Sequence, residues 1–247
     1  MKKQLALSLL AIVSFFAFAE QDAAQAGAPE APFKRFALGG RLIASAMLSD
    51  PALDIDSRYE YDVWGSDSQS AWSVYGSYRM SEHLSLQLEA LYKGKKQMEL
   101  DRDDYSDEDY HEWANDTFSY SAIELPLLLN VRFRPALFLI GAYAGPYVSI
   151  PVGKMKDEFN YGVYSTVDDE TVSHQTGEEE YAIVGVTYGF CGGGQLGLQF
   201  GPNFALFADL RYCQDFVPVS AKIDGKKEAV FSQAGYQASL GVEIALW

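Results

Sequence analysis

The residues of this chain that could do chemistry are two cysteines, three histidines and several runs of carboxylates. Cys191 and Cys213 lie symmetrically about Pro202, the middle of a Gly201-Pro202-Asn203 turn. A simple hairpin about that turn sets the two cysteines opposite each other. Opposed antiparallel residues have Cα atoms about 4.5–5.5 Å apart, within reach of a disulfide. A Cys191–Cys213 disulfide is therefore expected in an oxidising compartment; a one-residue bulge would leave two buried thiols instead. The run from Asp101 to Glu112 places Asp101, Asp103, Asp107, Asp109 and Glu112 at positions 1, 3, 7, 9 and 12 of a calcium loop. Tyr105 stands at position 5, Ser106 replaces the required glycine, and no helical pattern flanks the run. It reads as a solvated external loop, with weak divalent-cation binding there and at Glu178-Glu179-Glu180 as the alternative. His83 falls in a turn, and His111 and His174 in loops. None has a nucleophile at a telling spacing, and neither a Gly-x-Ser-x-Gly elbow nor a metal-ligand set occurs. No catalytic residue, metal centre or cofactor is expected.

A second set of charged residues has a different pattern. Arg41, Arg79, Glu89, Lys93, Glu124, Arg132, Asp209, Arg211 and Glu243 each alternate with large apolar residues. From Ile123 to Phe133 the apolar positions are Ile123, Leu125, Leu127, Leu129, Val131 and Phe133, and Glu124 and Arg132 stand between them. A helix would scatter those charges around its circumference; a strand gathers them on one face. The alternation recurs and predicts eight strands: about Arg35–Leu48, Ala71–Met80, from Leu84 to Lys93, from near Phe118 to Phe133, Leu137–Ile150, Tyr181–Phe200, Phe204–Cys213 and Phe231–Trp247. Their connections alternate long and short. The long loops span about 49–70, 95–116, 151–180 and 214–229.

The N-terminus reads Met-Lys-Lys, then an uncharged stretch from Leu5, then Ala17-Phe18-Ala19. That is the form of a secretory signal peptide, cleaved after Ala19. Residues 20–34 read as a flexible periplasmic leader, and 35–247 as one domain. No later apolar run is long enough for a spanning helix, so an exported membrane protein of this kind must be a barrel. The 16 Tyr, 15 Phe, 4 Trp and 21 Gly suit such a barrel. A net charge of −15 argues against nucleic acid, which needs clustered Lys and Arg.

The side of the charged face decides the class. A soluble lipocalin-like carrier would keep its apolar face inside. Here the polar face also carries Gly39, Gly141, Gly145, Gly189, Gly193, Gly197 and Gly241. Small residues make room for long charged ones in a narrow eight-stranded tube, while the other face is bulky throughout. The expected architecture is an all-β, eight-stranded antiparallel up-and-down transmembrane β-barrel with short periplasmic turns and long extracellular loops. Buried ions must be paired, so the nine charged residues should form a lumenal ion-pair network. Arg41 and Glu243, on the first and last strands, are expected partners. Simple register about Arg134-Pro135 sets Leu137 beside Arg132 and Gly145 beside Glu124. The ion partners of Arg132 and Glu124 must then come from the third strand or from across the barrel.

Three pieces of sequence resemble the PorT-like outer-membrane β-barrel family (the porin-family outer membrane protein beta-barrel domain): Ile123-Glu124-Leu125-Pro126-Leu127-Leu128-Leu129, Gly141-Ala142-Tyr143-Ala144-Gly145-Pro146-Tyr147, and Leu210-Arg211-Tyr212. The resemblance implies an outer-membrane barrel of a diderm bacterium and no particular reaction or ligand. Trp247 departs from it, being out of phase with Leu246, Ile244 and Val242. The reading is a small, monomeric, non-enzymatic outer-membrane barrel with a filled lumen and a structural or surface-interaction role. Its partners are outer-membrane lipid, with an extracellular protein or a weakly held divalent cation at the loops. Tyr59, Tyr61, Trp64, Tyr105, Tyr110 and Trp113 are the candidate contacts. The alternatives are a narrow porin or channel, a lipid-modifying enzyme, and the soluble carrier.

Overall fold

The computed structural model describes residues 34–51, 60–64, 67–104, 110–135, 137–167, 170–201 and 203–246. The expected signal peptide, nearly all of the leader, Tyr59, Tyr105, Pro202 and Trp247 lie outside these residues, as does the placement of the Tyr61 and Trp64 side chains. The described chain is all strand and turn. Its strands are β1 (Phe36–Pro51), β2 (Glu60–Trp64), β3 (Asp67–Arg79), β4 (Leu84–Asp104), β5 (Tyr110–Phe133), β6 (Phe138–Ser165), β7 (Glu170–Ile183), β8 (Thr187–Phe200), β9 (Phe204–Asp215), β10 (Val219–Ile223) and β11 (Lys226–Ala245).

All pairings are antiparallel. β1 pairs β3, β3 pairs β4, and β4 pairs β5. β5 pairs β6, whose first half pairs β8. β8 then pairs β9, β9 pairs β11, and β11 returns to β1 over the full length from Ala37↔Ala245 to Pro51↔Phe231. The order is therefore that of a β-barrel. Beyond it, β2 adds to β4, β7 to the second half of β6, and β10 to both β7 and β11. β7 leads into β8 through Val184–Val186, where Gly185 has φ 92°. β9 leads into β10 through Phe216–Pro218. Asp224 and Gly225, both at positive φ, make the tight turn into β11 that a two-residue hairpin requires.

The long loops expected from the sequence are largely β-hairpins. β4 and β5 stay paired out to Asp104↔Glu112, and β6 and β7 to Ser165↔Glu170. The 214–229 segment contains β10, and 49–70 contains β2 and the start of β3. Alternation reports a strand only when its two faces meet different surroundings. Where polar residues occupy both faces, the ladder forms without that signature. One register also differs. Arg132 is opposite Gly141 and Glu124 opposite Ser149, because the turn after Phe133 is wider than Arg134-Pro135 alone: the Phe138 N–H donates to the Pro135 carbonyl at 3.0 Å. In the acidic run, Asp101–Asp104 and Tyr110–Glu112 lie on opposite strands of one ladder, and Asp107 and Asp109 lie outside the described residues.

The two faces are unambiguous. On β9 exposure alternates without a break, with Phe204, Leu206, Leu210 and Tyr212 outside and Asp209, Arg211 and Cys213 inside. Leu42 is 73% exposed and Leu240 65%, whereas Glu89 is 0% and Arg211 1% exposed. The apolar-inside arrangement of a soluble carrier is excluded by these faces. The outer apolar surface ends in two aromatic rows. Phe36, Tyr78, Phe138, Phe200 and Phe204 lie near the short-turn end, and Trp72, Tyr188, Tyr212 and Tyr236 near the hairpin end, all of them exposed. Phe200 touches Phe204 and Phe36 touches Tyr78 in the first row; Trp72 touches Tyr92 and Tyr212 touches Tyr236 in the second. From Phe204 to Tyr212, β9 covers about 26 Å at roughly 3.3 Å per residue.

Candidate functional site: a charged and plugged lumen

The inward face of the strands carries three tiers of ion pairs. Each tier is built from strands that are not all neighbours. The tier nearest the short turns centres on Glu243 of β11. Its Oε1 meets Arg79 Nη2 at 2.9 Å, and its Oε2 meets Arg132 Nη1. Tyr75 donates its hydroxyl to the same carboxylate at 3.2 Å, and Arg134 approaches at 3.9 Å. Tyr75 fits because Gly39, across the β1–β3 ladder, has no side chain: its ring fills the space a Cβ at Gly39 would take.

The middle tier joins β1, β4 and β9. Arg41 Nη1 lies 2.6 Å from Glu89 Oε2, and its Nε 3.1 Å from Asp209 Oδ2. Arg211 Nη2 meets the other Glu89 oxygen at 3.1 Å. Tyr143 donates to Asp209 at 2.9 Å. The Arg41 guanidinium also lies over the rings of Tyr75, Tyr143 and Phe207, at 4.8, 5.5 and 5.4 Å from their centroids. The expected Arg41–Glu243 pair does not form. Arg41 points toward the hairpin end, to Glu89 and Asp209, and Glu243 is taken by Arg79 and Arg132.

The tier toward the hairpins joins β4, β5 and β9. Glu124 Oε1 receives Lys93 Nζ at 3.0 Å and Lys96 Nζ at 3.2 Å, and Lys96 also reaches Asp215 at 3.3 Å. Tyr147 donates to Asp215 at 2.6 Å, and the Gln233 N–H donates to it at 3.1 Å. Both ion partners of Glu124 thus come from the adjacent β4, and that of Arg132 comes from β11 across the barrel. These are the two sources that their isolation on β5 demanded.

Above the ions the interior becomes apolar. Met98, Phe118, Met155, Val219, Val230 and Phe231 are the larger members of one buried cluster, with Tyr120 over the Lys96 ammonium at 5.9 Å. A second cluster holds Met47, Leu128, Tyr143, Tyr147 and both cysteines. Cys191 and Cys213 are buried register partners and stand as free thiols.

Lys96 and Asp215 were missed by the sequence reading, along with the three plugging tyrosines. Lys93 and Lys96 both face inward because β4 shifts register between them. The signal was Gly94, a lone glycine within a strand, which marks a bulge. Asp215 continues the Asp209–Arg211–Cys213 parity and needed only a strand two residues longer. Trp113 and His174, read as loop residues, stack on each other at 5.8 Å over Gly162 in the β5–β7 ladders. Tyr110 is exposed at 45%.

The geometry defines an all-β barrel with a polar, side-chain-filled interior and an apolar exterior. No family model matches the sequence and no curated protein matches it, so the PorT-like label stands on the three short pieces alone. Among solved structures, the outer membrane protein OprG from Pseudomonas aeruginosa matches at 11% identity over 85% of this chain and 95% of that one, with TM-score 0.49. Neisserial surface protein A matches at 12% identity, over 85% and 97%, with TM-score 0.39. The outer membrane protease OmpT from Escherichia coli matches at 7% identity, over 89% and 99%, with TM-score 0.39. At these scores no activity passes to this chain.

Proposed function

We propose that the chain is an eight-stranded barrel of a bacterial outer membrane, closed to solutes, that presents its β-hairpins at the cell surface in a structural or interaction role. The observation that carries this reading is the inversion of faces. Buried ion tiers lie inside an apolar wall bounded by two aromatic rows. Such rows mark the two edges of a bilayer, around an apolar band about 25 Å tall. A soluble monomer does not expose that much contiguous hydrocarbon. The short turns between β3 and β4, β5 and β6, and β8 and β9 face the periplasm, and the hairpins face outward. The N-terminal segment is an export signal removed after Ala19. The exposed Tyr110 and the acidic hairpins contact a surface partner.

The first test is electrophoretic. The purified protein should migrate faster unheated than boiled, and only when refolded with detergent; identical migration would refute the barrel. The second test concerns transport. In planar bilayers the folded protein should give no discrete conductance steps, because three ion tiers and an apolar cluster fill the bore. Regular steps in most recordings would establish a channel instead.

Oxidation of Cys191 and Cys213 belongs to the same reading, since their register suits a cross-strand disulfide and the periplasm is oxidising. Mapping of protein isolated from membranes without reductant should recover the two as one linked peptide. Alkylation of both thiols would refute the disulfide.

A further inference from the structure

The row of exposed aromatics at the hairpin end is interrupted on two adjacent strands. Tyr92 of β4 belongs to the row, and so does Tyr188 of β8. At the same level β5 has Ile123, opposite Tyr92, and β6 has Ile150, opposite Ile123. One step nearer the hairpins, all three of β4, β5 and β6 break register, around Gly94, Tyr120 and Gly153. The bulges open a cavity of about 560 Å³ on the outer surface. Its floor is small, with Gly94, Ser121 and Gly153, and its walls are Lys95, Lys154 and Lys156, with Glu158 and Glu180 beside them.

In a chain of net charge −15, three outward lysines around one hollow stand out from the background. The hollow lies where the apolar wall ends, directly above Ile123, Ile150 and Val152, which are 38%, 40% and 42% exposed. A ligand that fits must carry negative charge at one end and hydrocarbon at the other. We propose that this cavity binds the phosphate headgroup of an anionic outer-leaflet lipid, with its acyl chains lying along Ile123 and Ile150. The proposal rests on the reading of the chain as a membrane barrel.

The lysines are held ready. Lys154 meets Glu180 at 2.7 Å and Lys156 meets Glu178 at 2.5 Å. The hydrogen bond from Lys156 to Glu178 raises the lysine pKa, and the bond from Lys154 lowers that of Glu180, so Lys156 and Glu180 stay ionised through neutral pH. Exposed ion pairs stabilise little and exchange partners readily. Lys95 has no ion partner among the described residues. A phosphate oxygen accepts from Lys95 and draws Lys154 from Glu180. Glu180 opposes the ligand, so neutralising it should tighten binding.

The test is native mass spectrometry of the folded full chain in detergent, titrated with bisphosphorylated lipid A, with the same lipid dephosphorylated, and with inorganic phosphate. The wild type should bind lipid A at least about tenfold more tightly than the dephosphorylated lipid, a difference of one interaction-sized step in affinity. Inorganic phosphate should not displace it. The triple variant Lys95→Gln, Lys154→Gln, Lys156→Gln should lose the preference, and Glu180→Gln should enlarge it. Heat-modifiable migration is read on every sample. Folded wild type and triple variant that bind both lipids alike overturn the site while leaving the barrel. Displacement by inorganic phosphate overturns the lipid as occupant. Samples without the migration shift overturn the barrel and the site together.

Discussion

Replacing Glu89 by leucine should cost about 3–5 kcal/mol of stability, because it leaves two guanidiniums buried with their common partner gone. Glu89 is wholly buried, and it receives Arg41 at 2.6 Å and Arg211 at 3.1 Å. Arg41 retains Asp209 at 3.1 Å; Arg211 has no other ion pair among the described residues, so it is the more affected by the loss. The double variant Glu89→Leu, Arg211→Met should therefore recover part of the cost, a coupling expected of residues in direct contact. The measurement is the urea midpoint for folding into lipid vesicles, followed by tryptophan emission and by gel migration. A single-variant loss below about 1 kcal/mol would mean that the tier is open to water and behaves as a surface pair.

The second large effect is a matter of space. The Leu127 carbonyl oxygen occupies the position that a Cβ on Gly145 would take. Pro126 and Pro146 flank this spot, and neither has an N–H to give to the β5–β6 ladder. A colliding backbone cannot rotate away as a side chain can. Gly145→Ala should thus cost about 1–3 kcal/mol, the range for forced overpacking, and Gly145→Val should cost more. Gly76→Ala is the control. Its Cβ would meet only Leu38 Cδ2, at 3.8 Å, and stability should barely change. Equal losses at the two positions would show that the effect comes from glycine's flexibility and not from the collision. The same vesicle-folding midpoint reads both variants.

How much of this was legible in the sequence depended on what each residue faces. Ile123–Phe133 was readable because outward-facing and lumen-facing positions alternate strictly, so Glu124 and Arg132 had to share a face. Cys191 and Cys213 were readable as register partners because β8 and β9 pair without a register shift from Gly189↔Asp215 to Phe200↔Phe204, and arithmetic about the turn then suffices. The same arithmetic failed at Arg134-Pro135, where a wider turn moved Arg132 from Leu137 to Gly141. It would also have failed for Lys96, which a bulge at Gly94 turns inward. The outer halves of β4, β5 and β6 looked like loops because acids and lysines stand among their outward-facing positions. Their inner faces bury Met98, Phe118 and Met155, but those residues are too widely spaced among charges to announce a core.

The sequence by itself determined that this is an all-β chain whose charged residues share one face of its strands. Period-two alternation is a local property, and each strand declares it alone. Only the tertiary structure decided which charges meet. An ion pair between β4 and β9, such as Glu89 with Arg211, joins residues far apart in the chain. Its existence depends on how the barrel closes, how long each side chain is, and which glycine leaves it room. Arg41 therefore passes Glu243 for Glu89 and Asp209. Three lysines on β4 and β6 gather around one hollow for the same kind of reason: bulges in neighbouring strands fall at one height.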